Sequence, residues 1–122
     1  MKRLLLLALA LTACAPALQL AQRESASLAR DGQSILFRNP GPEAAQAPAV
    51  FLRGAGLKVS ALHEGQEVCR ERGKPGLWGC SLPDVPGGQA FRLAVTAGAV
   101  EAGNVTFYRT ASGVRPIYLE LP

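Results

Sequence analysis

Turn-forming residues interrupt this chain at intervals of roughly ten residues from Asn39 to the end. Glycine and proline clusters such as Asn39-Pro40-Gly41-Pro42 and Pro86-Gly87-Gly88 end any regular element that reaches them. Short segments of β-type composition lie between the clusters, and they are residues 33–38, 49–53, 57–62, 66–71, 77–82, 89–96, 104–109 and 114–121. About eight short strands at this spacing predict an all-β chain, folded as a small antiparallel sandwich or barrel.

Two of these segments show the alternation of a half-buried strand. Phe91, Leu93 and Val95 alternate with more polar or smaller residues in the first. Val105 and Phe107 share one face of the second, so both segments are expected to contribute to the core. In the last segment, Pro116 cannot donate a backbone hydrogen bond, which favours an edge strand.

The first fourteen residues form an export signal. Lys2 and Arg3 are followed by an apolar run of ten residues, 4–13, which is shorter than the about 20 that a membrane-spanning helix needs. The run ends in Leu11-Thr12-Ala13-Cys14, which resembles the lipobox of bacterial lipoproteins. The resemblance implies cleavage before Cys14, lipidation of its thiol and acylation of the new amino end, and therefore a permanent membrane anchor.

The export signal also determines how the cysteines are interpreted. The chain has three cysteines, an odd number for an exported protein, and lipidation of Cys14 leaves Cys69 and Cys80 as a pair. An oxidising compartment favours a disulfide between them. Two cysteines and the single histidine do not complete a four-ligand metal site, so we expect no metal and no other cofactor.

The same pair indicates a hairpin. If Cys69 faces Cys80 in an antiparallel ladder, the glycines at 73 and 76 flank the turn around Lys74-Pro75. A trans proline is disfavoured at the second position of a two-residue turn, so we expect a wider loop or a cis Pro75. Trp78 then lies on the same strand face as Cys80, and we favour a core position for it over an exposed binding anchor.

A second resemblance covers residues 69–109. The run Trp78-Gly79-Cys80-Ser81-Leu82, the turn Pro86-Gly87-Gly88-Gln89 and the alternating strand that follows are similar to immunoglobulin-like repeat domains of bacterial surface proteins. The resemblance implies an immunoglobulin-like β-sandwich used as a spacer or binding module. Those domains occur in tandem, whereas this chain has room for one.

Length and charge set the domain organisation. Removal of residues 1–13 from the 122-residue precursor leaves 109 residues, enough for one domain. We expect a lipidated tether at 14–32, with a turn or two of helix near residues 24–30, and a sandwich at 33–122. The mature chain carries eleven basic and nine acidic residues, which are scattered and do not form a nucleic-acid footprint.

No catalytic constellation is recognised in the sequence. His63 stands beside Glu64 without an identifiable nucleophile, and we expect it to be a surface residue. Residues 110–115 resemble, in a few positions, the loop that lysozyme-inhibiting lipoproteins insert into the enzyme cleft. The resemblance makes Ser112, Gly113 and Arg115 candidate binding residues, in addition to Trp78. Pro116 departs from the pattern of that loop.

These observations predict a non-enzymatic envelope lipoprotein that binds a protein or the cell wall. The alternatives are an inhibitor of a wall hydrolase and a carrier of a small apolar ligand. The membrane contact runs through the lipid on Cys14, and we favour the periplasmic side of the outer membrane because Ala15 is not the aspartate typical of inner-membrane retention. The sequence leaves the partner and the oligomeric state open.

Overall fold

The computed structural model describes residues 24–122. The predicted signal peptide, Cys14 and the predicted tether up to residue 23 therefore lie outside the described residues. The described part is all-β, with eleven strands, no α-helix and a single 3₁₀ turn at Thr110–Ser112. The strands are β1 (Ser27–Asp31), β2 (Ser34–Asn39), β3 (Gln46–Arg53), β4 (Lys58–Ser60), β5 (Leu62–His63), β6 (Gln66–Glu67), β7 (Cys69–Glu71), β8 (Leu77–Ser81), β9 (Gln89–Ala97), β10 (Ala102–Tyr108) and β11 (Ile117–Glu120).

Two antiparallel sheets form the sandwich, which confirms the predicted fold class. One sheet has the order β1-β2-β9-β4 and the other the order β11-β10-β3-β8-β7. Seven of these strands reproduce the constant-type immunoglobulin arrangement, in which strands A, B, E and D form one sheet and C, F and G the other. In this chain β1, β2, β9 and β4 correspond to A, B, E and D, and β3, β10 and β11 correspond to C, F and G. The β7–β8 hairpin is an addition between β4 and β9, and it extends the second sheet beside β3.

The core lies between the sheets and follows the predicted alternation. Leu93 on β9 and both Val105 and Phe107 on β10 are buried. Phe107 meets Phe37 of the opposite sheet, with ring centroids 5.3 Å apart in a tilted arrangement, a favourable aromatic geometry. The last strand, β11, lies at a sheet edge, as Pro116 predicts.

The cysteine hairpin has the predicted register. Cys69 lies opposite Cys80, and the two form a disulfide whose cysteines are both buried. The Arg72 amide donates to the Leu77 carbonyl, so the loop spans residues 73–76 and is the wider of the two predicted forms. Unlike the inter-sheet bridge of antibody domains, this disulfide joins neighbouring strands of one sheet.

The first strand corrects the sequence prediction. Residues 27–31 form β1, where a helical turn in the tether was expected, and the sandwich therefore begins before residue 33. Gly32 and Gln33 form the two-residue hairpin turn between Asp31 and Ser34, and Gly32 adopts a positive φ of 59° there. Ala26 and Leu28 both point inward, which is the period of two that a strand requires. This alternation is weak in the sequence because the side chains around Leu28 are small.

The two central short segments are each split into two strands. Residues 57–62 contribute to β4 and β5, and residues 66–71 to β6 and β7, because β5 and β6 form a separate hairpin. Its turn residues Glu64 and Gly65 both have positive φ, as a type I′ turn requires. Within residues 24–122, no helix has the length and apolarity needed to cross a bilayer.

Candidate functional site

The outer face of the five-stranded sheet presents an aromatic side chain to solvent. Val50 and Leu52 on β3 point into the core, so Phe51 between them points outward. Because β3 is the central strand of its sheet, Phe51 lies near the middle of this face. Its exposed fraction is 40%, high for a phenylalanine in a sheet centre.

The strand register identifies the neighbours of Phe51. Asn104 on β10 lies opposite it on one side and Gly79 on β8 on the other. The row continues to Glu120 on β11 and to Arg70 on β7. Residues directly opposite each other in an antiparallel ladder share a face, so these five side-chain positions form one band across the sheet.

Gly79 gives this band its flat centre. A Cβ atom at position 79 would lie 2.8 Å from Nε of Arg72 and 3.3 Å from Cε1 of Phe51. The Arg72 side chain therefore lies across the glycine and beside the Phe51 ring. We call Phe51, Gly79, Asn104, Arg70 and Arg72 the aromatic-arginine face.

The aromatic-arginine face is mainly positive. Arg70 and Arg72 are exposed, as is Arg53 on the same side of β3 as Phe51, and the salt bridges found within residues 24–122 involve none of them. Glu120, which continues the band beyond Asn104, adds one negative charge. On the outer face of the other sheet, by contrast, Arg92 is paired with Asp31 at 2.9 Å. Tyr118, with an exposed fraction of 55%, adds a second aromatic ring at one end of the face.

A second cluster joins the start of the described chain to the end of the sandwich. Arg109 has an exposed fraction of only 9%, and its Nε and Nη2 atoms donate to the two carboxylate oxygens of Glu24 at 2.9 and 2.6 Å. The remaining donors reach the Glu43 carbonyl at 2.7 Å and Oδ1 of Asn39 at 2.9 Å. The guanidinium also lies 5.2 Å from the Phe107 ring centroid, at cation–π distance.

The environment of Glu24 determines its ionisation. Burial opposes the charged form, but the Arg109 hydrogen bonds, the Ala26 amide and the Arg109 charge outweigh this effect and lower the pKa of Glu24 below its ordinary value. Asn39 is fully buried, and its Nδ2 donates to the carbonyls of Glu43 and Val85, both at 2.9 Å. The arrangement satisfies every polar group involved, as a structural cluster must.

Three of the residues predicted to bind lie next to this cluster. Ser112 closes the 3₁₀ turn, and its hydroxyl accepts from the Arg109 amide at 3.0 Å and donates to the Arg109 carbonyl at 2.9 Å. Gly113 follows with a φ of 62°, and Arg115 is exposed. The Ser112 hydroxyl therefore stabilises the loop, while Gly113, Val114 and Arg115 face solvent.

Trp78 does not join these residues. It lies opposite Leu52, toward the other end of the sandwich, and packs half-buried against the core. Its Nε1 donates to the Leu57 carbonyl at 2.7 Å. The four candidate residues consequently fall at two separate places.

The remaining titratable residues have structural partners or lie at the surface. His63 is exposed in the β5–β6 hairpin, with Nε2 3.7 Å from the Glu64 carboxylate. Burial would raise the pKa of Glu67, but hydrogen bonds from Ser60, Ala61 and Cys69 outweigh it and lower that pKa. Residues 24–122 contain no group of three or more side chains placed to hold a metal ion.

The aromatic-arginine face and the Glu24–Arg109 pair were both missed in the sequence. Phe51 had a readable signal, because it alternates with Val50 and Leu52 and must lie opposite to them. Glu24 and Arg109 are 85 positions apart, so no local pattern links them. No protein-family model, no curated protein and no solved structure matches the chain.

Proposed function

We propose that this protein is a lipid-anchored envelope protein whose sandwich binds another protein through the aromatic-arginine face. The exposure of Phe51 at the centre of a flat, arginine-lined sheet is the observation that carries the proposal. The role is one of binding and assembly, without a catalytic step.

The composition of the face supports a protein partner. Aromatic residues and arginine are enriched in protein interfaces, and energetic hot spots concentrate near the interface centre. Phe51 and Arg72 lie together at such a centre, and Asn104 beside Phe51 supplies an amide for hydrogen bonding. The charges of Arg53, Arg70 and Arg72, which form no salt bridge within residues 24–122, favour a partner with an acidic surface.

The anchor is supported by the sequence. Lys2 and Arg3, the short apolar run and Leu11-Thr12-Ala13-Cys14 together favour lipidation at Cys14. Intact mass spectrometry of the membrane-extracted protein tests this directly. We expect a chain that begins at Cys14 and carries acyl mass, and we expect that mass to be lost in the Cys14→Ala variant. An unacylated wild-type chain would overturn the anchor.

Site-specific photo-cross-linking tests the binding face. A photoreactive phenylalanine analogue replaces Phe51 in the full chain, and the same analogue at Ala94, which is exposed on the opposite sheet, is the matched control. After irradiation of native envelopes, we expect a single identified protein to be cross-linked from position 51 and not from position 94. Arg72→Glu, added to the position-51 variant, should reduce the yield by about tenfold if the charge is at the interface.

The outcome also separates the alternatives. A wall hydrolase as the cross-linked protein would favour the inhibitor, and cross-links to glycan alone would favour wall binding. Equal labelling from positions 51 and 94, or yields that Arg72→Glu leaves unchanged, would remove the aromatic-arginine face from consideration.

A further inference from the structure

One end of the sandwich has exposed apolar surface and is also where the chain before Glu24 joins the domain. We call this end the proximal pole, and it consists of residues 40–45, 83–88 and 110–116, at the ends of β2, β3, β8 and β10. Glu24 is bound there by Arg109, whose bidentate contact fixes the place where the preceding chain reaches the domain. The opposite end, which holds the turns at residues 54–56 and 73–76, is the distal pole.

The distance to the anchor is short. Cys14 precedes Glu24 by ten residues, and that length of chain spans at most about 35 Å when fully extended. The eight-residue strand β3 alone runs about 26 Å from one pole to the other. With the lipid on Cys14 in a bilayer, contact through the proximal pole leaves this stretch of chain slack, whereas contact through the distal pole needs most of its extended length. The proximal pole is therefore the end that meets the membrane at the lower cost in chain extension.

The proximal pole has the chemistry of a membrane-contacting surface. Val114 has an exposed fraction of 92%, the highest of any large apolar residue described, and Arg115 follows it. Beside this loop lies an open groove of about 740 Å³ between the chain entry and β11, with Pro42, Ile117 and Leu119 among its lining residues. The groove also contains the Glu24–Arg109 pair and Glu43, but its exposed surface is mainly apolar. Isolated exposed apolar residues are ordinary, whereas a mainly apolar groove next to a loop with an exposed valine indicates a contact surface.

The proximal pole carries few charges. Its three ranges contain Glu43, Asp84 and Arg115, and Arg38 lies next to it, near the end of β2. The two carboxylates accept hydrogen bonds from the Ala111 and Ala47 amides, at 3.0 and 2.8 Å. Contact of this pole with lipid is therefore expected to depend on apolar burial and only slightly on salt.

We infer that the proximal pole rests on the bilayer that holds the lipid anchor, with Val114 in the interfacial region and the groove covered by lipid. The inference builds on the lipid anchor of the proposed function. It also predicts an orientation, in which the five-stranded sheet stands upright on the membrane and the aromatic-arginine face points sideways into the surrounding space.

Fluorescence quenching in vesicles tests the inference with the full lipidated chain. The protein is reconstituted into phosphatidylcholine vesicles with and without bromine atoms on the acyl chains. Trp78 is the only tryptophan, and it lies away from the proximal pole. The wild-type protein therefore gives the baseline for quenching of tryptophan fluorescence by brominated lipid. Val114→Trp then adds a reporter at the proximal pole, and Ala55→Trp adds a matched reporter on the exposed distal turn.

The expected result is a clear difference between the two poles. Interfacial side chains insert about 5–10 Å into the lipid boundary, so brominated lipid should quench the Val114→Trp signal at least about threefold more than the Ala55→Trp signal. High salt should leave this ratio unchanged.

The controls separate this inference from the proposed function. Intact mass on the same sample verifies the acyl groups, so a failed anchor appears as missing acyl mass. Equal quenching of the two reporters in acylated protein would overturn the orientation while leaving the anchor in place. Quenching that disappears at high salt would contradict the apolar contact.

Discussion

Arg109 joins its own end of β10 to two earlier segments of the chain, one at residue 24 and one at residues 39–43. Its guanidinium contacts the Glu24 carboxylate, the Glu43 carbonyl and the Asn39 side chain. A buried charge of this kind is stable only when nearly all of its donors are used. The cluster therefore fixes the chain entry to the sandwich, and losing one partner is expected to cost more than an exposed ion pair would.

Glu24→Gln tests the value of that contact. At neutral pH we expect the free energy of unfolding to fall by about 1–3 kcal/mol, because Arg109 loses its charged partner while buried. The folded-state pKa of Glu24 lies below the ordinary value of 4.5, so its stabilisation is complete above about pH 4.5 and is lost as the pH falls through the lower, folded-state pKa. The gap between variant and wild type should accordingly narrow in acid.

Urea denaturation at neutral and acidic pH measures this gap. Glu64→Gln, at an exposed side chain in the β5–β6 turn, is the control and should leave stability unchanged within about 0.5 kcal/mol. A gap of constant size at all pH values would mean that the charge of Glu24 does not contribute.

Gly73 and Gly76 allow backbone strain and steric clash to be separated within one loop. Both have positive φ, 67° and 82°. A Cβ at Gly73 meets open space, whereas one at Gly76 would lie 2.2 Å from the Gly54 carbonyl oxygen. We expect Gly73→Ala to cost about 1 kcal/mol from the left-handed conformation and Gly76→Ala to cost about 3 kcal/mol or more. Equal costs in urea denaturation would contradict the close approach of residues 54 and 76.

Among the elements, strands with strong alternation could be predicted and weakly patterned ones could not. Leu93 with its neighbours and Val105 with Phe107 gave β9 and β10 correctly, because a period of two is a local property. The β1 strand was missed because alanine and serine surround its single large apolar residue, Leu28, although Gly32 followed by Gln33 is the glycine-first pair that forms a two-residue hairpin turn.

The aromatic-arginine face shows the same division. The outward direction of Phe51 follows from its own strand, and so it could have been predicted. Its neighbours Asn104 and Gly79 come from two other strands, so their positions depend on strand order and register. Neither is readable from one short segment, because several strand orders satisfy the same alternation.

The β7–β8 hairpin depends on its disulfide. β7 has three residues and lies at a sheet edge, and Cys69 links it to Cys80 in the core. The bridge closes a loop with a sequence separation of 11, for which the expected stabilisation is about 3 kcal/mol. We expect the Cys69→Ala/Cys80→Ala double variant to lose this amount in urea denaturation. Reduced wild-type protein should match the double variant within about 1 kcal/mol, and unchanged stability on reduction would show that the strand pair stands without its bridge.

For the whole molecule, the position of the first strand decides where the domain begins. β1 pairs with β2 along its full length and buries Leu28 against the core, so a chain starting at residue 33 lacks one edge of the four-stranded sheet. Removal of residues 24–32 takes Leu28 out of the core cluster that also contains Ile35 and Phe37, and it removes the carboxylate partner of Arg109.

A pair of truncations measures that boundary. We expect residues 24–122 to unfold cooperatively with a free energy of unfolding close to that of residues 14–122. Residues 33–122 should lose about 5 kcal/mol or more, which is comparable with the total stability of a domain of this size, and should lack a cooperative transition. Circular dichroism and urea denaturation distinguish the two. A stable, cooperative 33–122 chain would mean that β1 covers the sandwich without being required for its stability, and that residue 33 is a sufficient start for the domain, as the sequence predicts.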